Sequence, residues 1–558
     1  MIISALVKRY EDTKDTPLGW QQREVSYALN IDPNGQLVGI NSLEVVNGKK
    51  REKRKLLMPI EPPGRTSGIK AAFLCDNASY LLGIDSKRGQ EKFKNSGELH
   101  KRILEGVQTP AAKAIVAYFE AGIPRNTADF IELKVIEKAV LIFQVDGKFV
   151  SFDHEEERSA WDKCYEKEAE ESILCLATGK QDSPEMTHST IKLYGGQSSG
   201  SYLISANKDS FTSYGKTVND RASEIGKYAA FAYVTALNAL LKNEKHRKYF
   251  GGDTLVYWAE KGGEAEEELF GNIFDPPKLD EDAELSAAME RIVNGNKVID
   301  PSISRIFYLL CLSPNAARIS VRFFYQCEFG NLIQNISEHY DRLEIVSDNR
   351  TPFRLIPLWL ILSETTVKGS ASDAQPLLAG QLLKSILTGV DYPLTLYNAI
   401  VNRIRAGAAV TQTKAAVIKA ILTKNKSFNE SEVTTVSLNE KSMIKPYVLG
   451  RLFSVLERLQ EKANGTATIQ SRYFTSACIN PGSVFPTLLR LSVHHSAKLD
   501  NPVFFEKLKT DLLGRLDDVI PFPTTLKLDD QGRFILGYYH QTHSFFTKKD
   551  KTGELINE

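Results

Sequence analysis

Apolar positions change their spacing along the chain. Over the first three hundred residues the apolar runs are short and separated by turn residues. Residues 26–31 and 36–40 flank Asp32-Pro33-Asn34-Gly35, whose Asn-Gly pair tolerates the positive φ of a tight hairpin. Residues 139–145 and 148–152 repeat that design around Asp146-Gly147. Between them lie short apolar runs at 56–60, 71–75 and 79–84, then helical patterns over 90–106 and 109–122. The second helix opens on Thr109-Pro110, a capping residue followed by proline at the first helical position. Residues 202–206 are strand-like. Residues 318–325 alternate Ile319, Val321 and Phe323 with Arg318, Ser320 and Arg322, which predicts a strand with both arginines on its polar face.

From about residue 375 the spacing becomes helical. Leu449, Leu452, Leu456 and Leu459 recur every three or four residues and stop at Asn464-Gly465. Further helices fit 381–388, 396–407, 411–424, 481–498 and 502–513. Two acidic stretches, 153–171 and 260–284, read as loops; the second holds Asp275-Pro276-Pro277, which disfavours helix. The expected fold is an α+β N-terminal domain followed by an all-α C-terminal helical bundle. The expected divisions are a mixed domain over 1–300, a strand-helix connecting region over 301–374 and a basic bundle over 375–558.

With 558 residues, 42% apolar and 25% charged, the chain is globular in composition and long enough for several cores. A net charge of +1 argues against a simple basic coat for nucleic acid, but the charge is segregated. Residues 381–515 hold eighteen Lys or Arg against nine Asp or Glu, whereas 153–171 hold nine acids against three bases. The basic segment suits a polyanion, or an ordinary solvated surface. Six cysteines, Cys75, Cys164, Cys175, Cys311, Cys327 and Cys478, include no CxxC pair and read as buried reduced thiols. The first ten residues place apolar side chains before Lys8 and Arg9, the reverse of a secretion signal, and the most apolar stretch, 229–241, is too short to cross a bilayer. A cytoplasmic protein is expected.

Residues 210–217 nearly spell a phosphate-binding loop ending in Gly215-Lys216-Thr217. Ser210 stands where the first glycine is needed, and Asp220-Arg221 come before the next helix. An ATP-binding enzyme is therefore the alternative reading, and a scaffold touching only proteins is a third. Gly195-Gly196-Gln197-Ser198-Ser199-Gly200-Ser201 is an amide-rich loop that can lie along a sugar-phosphate backbone or simply turn the chain. Lys49-Lys50-Arg51-Glu52-Lys53-Arg54-Lys55 gathers six cations in seven positions and reads as a loop that anchors phosphates or solubilises the surface. Asn77 follows Phe73-Leu74-Cys75-Asp76; its amide can pair with a base edge where the loop reaches a groove, though asparagine is also a common turn former. His494-His495 and His540 with His543 lack the converging ligands of a metal site. No catalytic residue, metal or cofactor is expected.

Read in order, residues 73–83, 195–204, 210–216, 317–323, 449–456, 485–490 and 534–541 resemble the Csd-type CRISPR-associated family, the large subunit of the type I-C Cascade complex. The resemblance implies a non-catalytic subunit of an RNA-guided surveillance complex. Such a subunit recognises the protospacer-adjacent motif of target double-stranded DNA, helps to open and hold it, and supports recruitment of a helicase-nuclease. CRISPR RNA would be held mainly by Cascade backbone and RNA-end-binding subunits. A small helical subunit made from an internal start, here near Met443, is implied as a further partner. The DNA-contact candidates are then Lys49, Lys50, Arg51, Lys53, Arg54, Lys55, Asn77 and the loop Gly195, Gly196, Gln197, Ser198, Ser199, Gly200 and Ser201, followed by Lys216, Arg318 and Arg322.

Overall fold

The computed structural model describes residues 1–14, 16–47, 50–63, 65, 68–85, 87–167, 171–206, 208–217, 223–274, 304–347, 355–375, 377–425, 433–516 and 519–546. They form two compact units, Met1–Lys242 with Asn315–Ile319, and Asn243–Pro314 with Ser320–Glu558.

The first unit runs α1 (Ile2–Thr13), β1 (Trp20–Val25), β2 (Tyr27–Ile31), β3 (Leu37–Ser42), β4 (Val45–Asn47), β5 (Lys50–Glu52), β6 (Arg54–Pro59), β7 (Cys75–Asn77) and α2 (Ala78–Leu81). It continues through α3 (Gly89–Ile103), α4 (Pro110–Ala121), two single turns α5 (Thr127–Phe130) and α6 (Leu133–Ile136), β8 (Val140–Val145), β9 (Lys148–Phe149), α7 (Glu155–Glu166), β10 (Ile173–Leu174), β11 (Gln181–Asp182) and α8 (Lys227–Lys242). The main sheet has the order β3-β2-β8-β7, with β9 also on β8. Strands β2 and β8 are parallel, so the chain between them must cross over, and the helices α2 to α6 make that crossing. Leu29, Leu141 and Phe143 are fully buried in one core with Phe93, Tyr118 and Phe119 of α3 and α4.

Both expected hairpins form. In the first, Asp32 accepts the Asn34 and Gln36 amides, and Gly35 sits at φ +79° against α4, where a Cβ would lie 2.4 Å from Tyr118 N. In the second, Asp146 and Gly147 both have positive φ, as a two-residue turn of this hand requires. Thr109 caps α4 by accepting the Ala112 amide at 3.0 Å.

Other expectations change. The acidic stretch 153–171 is largely a helix, α7, because Trp161 and Tyr165 lie one turn apart and pack inward, Trp161 stacking on Phe73 at 5.8 Å. Its three leading glutamates sit at the positive end of the helix dipole. Residues 202–206 form no strand; Tyr202 pairs alone, with Arg318.

The second unit begins with β12 (Arg247–Phe250) and β13 (Asp253–Ala259), then α9 (Glu264–Phe274), which replaces the described part of the second expected loop; 275–284 lie outside the described residues. Strands β14 (Ile306–Asn315) and β15 (Arg318–Glu328) complete a four-stranded sheet in chain order. Helices follow: α10 (Phe329–Leu343), α11 (Leu358–Ser363), α12 (Leu378–Thr388), α13 (Leu394–Arg405), α14 (Gln412–Lys424), α15 (Lys445–Asn464), α16 (Ile469–Ile479), α17 (Pro481–Ser496), α18 (Val503–Leu513) and α19 (Leu528–Ser544). The leucines predicted from spacing are buried on α15, which ends on Gly465 in the left-handed conformation. The α+β beginning and the helical C-terminal part are thus as the patterns predict. No described helix is long and apolar enough to cross a membrane.

Candidate nucleic-acid interface

Asn77 ends β7, opposite Val140 of β8. Its backbone is held from several sides. Asp76, fully buried, accepts the Asn77 amide at 2.7 Å, the Ala72 amide at 2.7 Å and Arg65 Nη2 at 2.6 Å. Arg65 also bonds Glu61 at 3.0 Å and lies over the Tyr80 ring at 4.4 Å. Arg23 of β1 donates to the Cys75 carbonyl and to Glu61. Burial pushes the Asp76 carboxyl above its ordinary range, while Arg65 and the two amides pull it back.

The preceding residue pair adds a second clamp. Leu74 adopts φ +59°, a strained value for a branched side chain, and its amide donates to His100 Nε2 at 2.9 Å. His100 Nδ1 lies 2.7 Å from the Ser96 carbonyl, so the proton belongs on Nδ1 and Nε2 is the acceptor. Burial keeps this ring neutral, with its pKa pushed down to about 4. The side chain of Asn77, by contrast, makes no cap hydrogen bond and is half-buried. A fixed backbone therefore presents an amide that has no side-chain hydrogen bond among the described residues, the arrangement a base-edge reader needs.

The cationic run is not a loop. Lys50 and Arg51 lie in β5, which pairs with β4 in the register Asn47 with Lys50 and Val46 with Arg51, and Arg54 and Lys55 open β6. Lys49 lies outside the described residues. Lys53, Arg54 and Lys55 are exposed. Arg54 lies over the Phe149 ring at 4.9 Å, and Phe149 pairs with Gln144, four residues along β8 from the partner of Asn77. At the rise of a strand that separation is roughly 13 Å, within the reach of one face of a duplex.

The loop from Gly195 to Ser201 closes on itself. Gly196 N donates to Leu193 O, Gly200 N to Gln197 O, and Ser201 N to Ile191 O. Gly195 and Gly200 have positive φ, and a Cβ on Gly200 would lie 2.6 Å from Thr190, so glycine is required there. Lys192 and the Thr190 hydroxyl donate to the carbonyls of Ser198 and Ser199. Gln197, Ser198 and Ser199 are exposed, with Tyr194 beside them. The loop belongs with the tip of the β14-β15 hairpin: the Ser201 hydroxyl donates to Ala316 O and the Tyr202 amide to Ala317 O.

The remaining candidates are engaged within the protein. Lys216 Nζ bonds Glu224 at 2.7 Å, and no described helix opens on Thr217; α8 starts at Lys227. The residues around Gly215 do not build a phosphate cradle at a helix N-terminus. Arg318 lies over Phe211 at 4.2 Å. Arg322 bonds Asp253 at 3.3 Å and Ser313 at 2.9 Å, so the polar face of β15 is tied up by packing.

A family model for the CRISPR-associated protein Cas_Csd1 matches residues 6–546, nearly the whole chain. The chain belongs to this CRISPR-associated family. No curated protein matches it.

Two of the family-like segments meet in the bundle. On α15, a Cβ at Gly450 would lie 1.9 Å from Phe534 O, and on α19 a Cβ at Gly537 would lie 2.0 Å from Tyr447 O. The two helices touch backbone to backbone, which explains a glycine in each of 449–456 and 534–541. Arg451, buried, donates to Gln541 at 3.1 Å, and Tyr447 bonds His540 at 2.9 Å. The clamp on Asn77 was not foreseen. Arg23, Glu61, Arg65 and His100 carry no local pattern that marks them, and only their convergence on 74–77 reveals the role.

Proposed function

We propose that this chain is the large, non-catalytic subunit of a type I-C RNA-guided surveillance complex in the cytoplasm, reading the protospacer-adjacent motif of double-stranded DNA. The single observation that carries this reading is the Asn77 amide, without a side-chain hydrogen bond among the described residues, on a backbone clamped by Asp76 and His100, with the exposed Lys53, Arg54 and Lys55 at the start of β6. Phosphate contacts from Lys53 and Lys55 would set the register, and Asn77 would touch a base edge. Guide RNA, held by backbone and RNA-end-binding subunits, supplies the long sequence readout, which leaves the protein a short motif to read. The exposed residues Gln197, Ser198 and Ser199 of the glycine-rich loop and the basic helices then serve to hold opened strands, and the cutting belongs to a recruited helicase-nuclease. Helices α15 to α19 follow the exposed Met443 and form the segment proposed as the separately translated small subunit.

The test is binding of the assembled complex to targets carrying all variants of the flanking motif. Asn77→Ala is expected to flatten the preference at one base pair by about 1–3 kcal/mol with little change in the affinity for unrelated duplex. Equal loss on every sequence would show that Asn77 only supports the fold.

A further inference from the structure

The first unit contains a cavity of about 290 Å³ that neither Asn77 nor the basic arm lines. Its walls include the rings of Phe73, Trp161, Tyr165 and Phe231, and its polar groups include Glu185 and Lys227. These two are held rigidly. The Lys227 amide donates to Ser183 O at 2.8 Å and the Glu185 amide to Ile225 O at 3.2 Å, so their backbones run side by side. Between them Gly226 is required, since a Cβ there would fall 2.3 Å from Asp182 Oδ2, which accepts the Tyr228 amide at 2.9 Å in the first turn of α8.

Neither charge is satisfied by the other. Lys227 lies over the Tyr165 ring at 3.9 Å and donates to the Tyr165 carbonyl, which leaves two of its three donors without a protein acceptor among the described residues. Glu185 attracts Lys227, but no ion pair joins them among the described residues. Burial pushes the Glu185 carboxyl up and the Lys227 ammonium down; the Thr187 and Met186 amides and the charges of Lys227 and Lys70 pull the carboxyl back, but the cost of burial prevails at both groups. A ligand that offered donors to one and an acceptor to the other would remove that cost.

We propose that this cavity binds a guanine base among its aromatic walls, with N1–H and N2–H on the Glu185 carboxylate and O6 on the Lys227 ammonium. A carboxylate accepts two adjacent donors, and among the common bases guanine alone has two adjacent donors beside an acceptor on its pairing edge. The volume is at the low end for ligand sites, about 300 Å³, which suits one base. The base can come from a free guanine nucleotide or from an unpaired guanine in a strand. The proposal goes beyond duplex recognition and does not depend on it.

The experiment is equilibrium binding of the four nucleoside monophosphates, and of a ten-residue oligothymidylate with or without one internal guanine, to the full chain. Guanosine monophosphate or the guanine-containing strand is expected to bind about tenfold or more tighter than its counterparts, as two hydrogen bonds to a charged group imply. Binding of the nucleotide identifies a free ligand as a source, and binding of the strand alone identifies an unpaired base. Glu185→Gln is expected to remove the preference. Thr187→Trp, which fills the cavity from its lining loop, is expected to remove binding while the melting temperature stays within a few degrees. Asn77→Ala is expected to leave guanine binding unchanged, which separates this site from duplex reading. Equal binding of all four nucleotides, no binding of any probe, or guanine binding unaltered in both cavity variants would overturn the proposal.

Discussion

Asp76 and Arg65 meet at 2.6 Å beneath the end of β7, the carboxylate wholly out of solvent and the guanidinium nearly so. This pair holds the backbone from which Asn77 projects, and Arg23 braces the same strand through the Cys75 carbonyl.

Asp76→Ala is therefore expected to cost about 3–5 kcal/mol of folding stability, because it leaves the largely buried Arg65 with only the part-exposed Glu61 as counter-ion and the Ala72 and Asn77 amides without an acceptor. Adding Arg65→Met should recover part of that loss. Urea unfolding of the full chain checks both, and an unmoved midpoint in the single variant would contradict the clamp.

Lys53 and Lys55 are exposed next to the arm, and their side chains bind nothing among the described residues. Each replacement by alanine should lower the slope of log affinity for duplex against log salt by about 0.9, if each neutralises one phosphate. Arg54→Ala should cost stability as well, through the lost Phe149 contact. Titrations at three salt concentrations separate the two effects.

Four buried histidines make the fold sensitive to acid. Burial pushes His100 and His188 down to about 4, and His339 and His540 down to about 3, with neighbouring cations adding to the effect at the last two. Each folded pKa lies below the unfolded value near 6.5, so below pH about 6.5 the unfolded chain binds protons that the folded chain refuses. Their contribution is complete at pH 7 and is lost as pH falls toward 4, at about 1.4 kcal/mol per pH unit per histidine at most. Urea midpoints measured from pH 7 to pH 4.5 should fall steadily; a flat profile would rule out neutral burial.

Gly450→Ala or Gly537→Ala should separate α15 from α19, since each Cβ would overlap a carbonyl of the facing helix. A loss of about 3 kcal/mol or more is expected, at the upper end for overpacking, because backbone cannot rotate away as a side chain can. Gly465→Ala, at the exposed end of α15 with no atom within 4 Å of its Cβ, should cost only the strain of positive φ. Thermal unfolding of the three variants ranks them.

Much of the fold was legible because its signals are local. Thr109-Pro110, Asp146-Gly147 and the leucines of α15 each specify their element within a few residues, through capping, positive φ and helical spacing. The stretch 153–171 misled because its acids outnumber its apolar residues, yet Trp161 and Tyr165 alone suffice to seat a helix on a core. The cationic run was legible as charge but not as a hairpin, since its short strands lack an apolar alternation.

The amino-acid sequence by itself determined the change from α+β to helix, the turn positions, the segregation of charge and the ordered segments that mark the family. Only the tertiary structure decided which charges are spent and which are free. Lys216 and Arg322 look like ligands in the sequence but are paired with Glu224 and Asp253, whereas Asn77 keeps its amide. The physical reason is distance along the chain. Arg23 reaches Cys75 across 52 residues and Arg322 reaches Asp253 across 69, and such pairings arise from the packing of the whole unit, which no local pattern encodes.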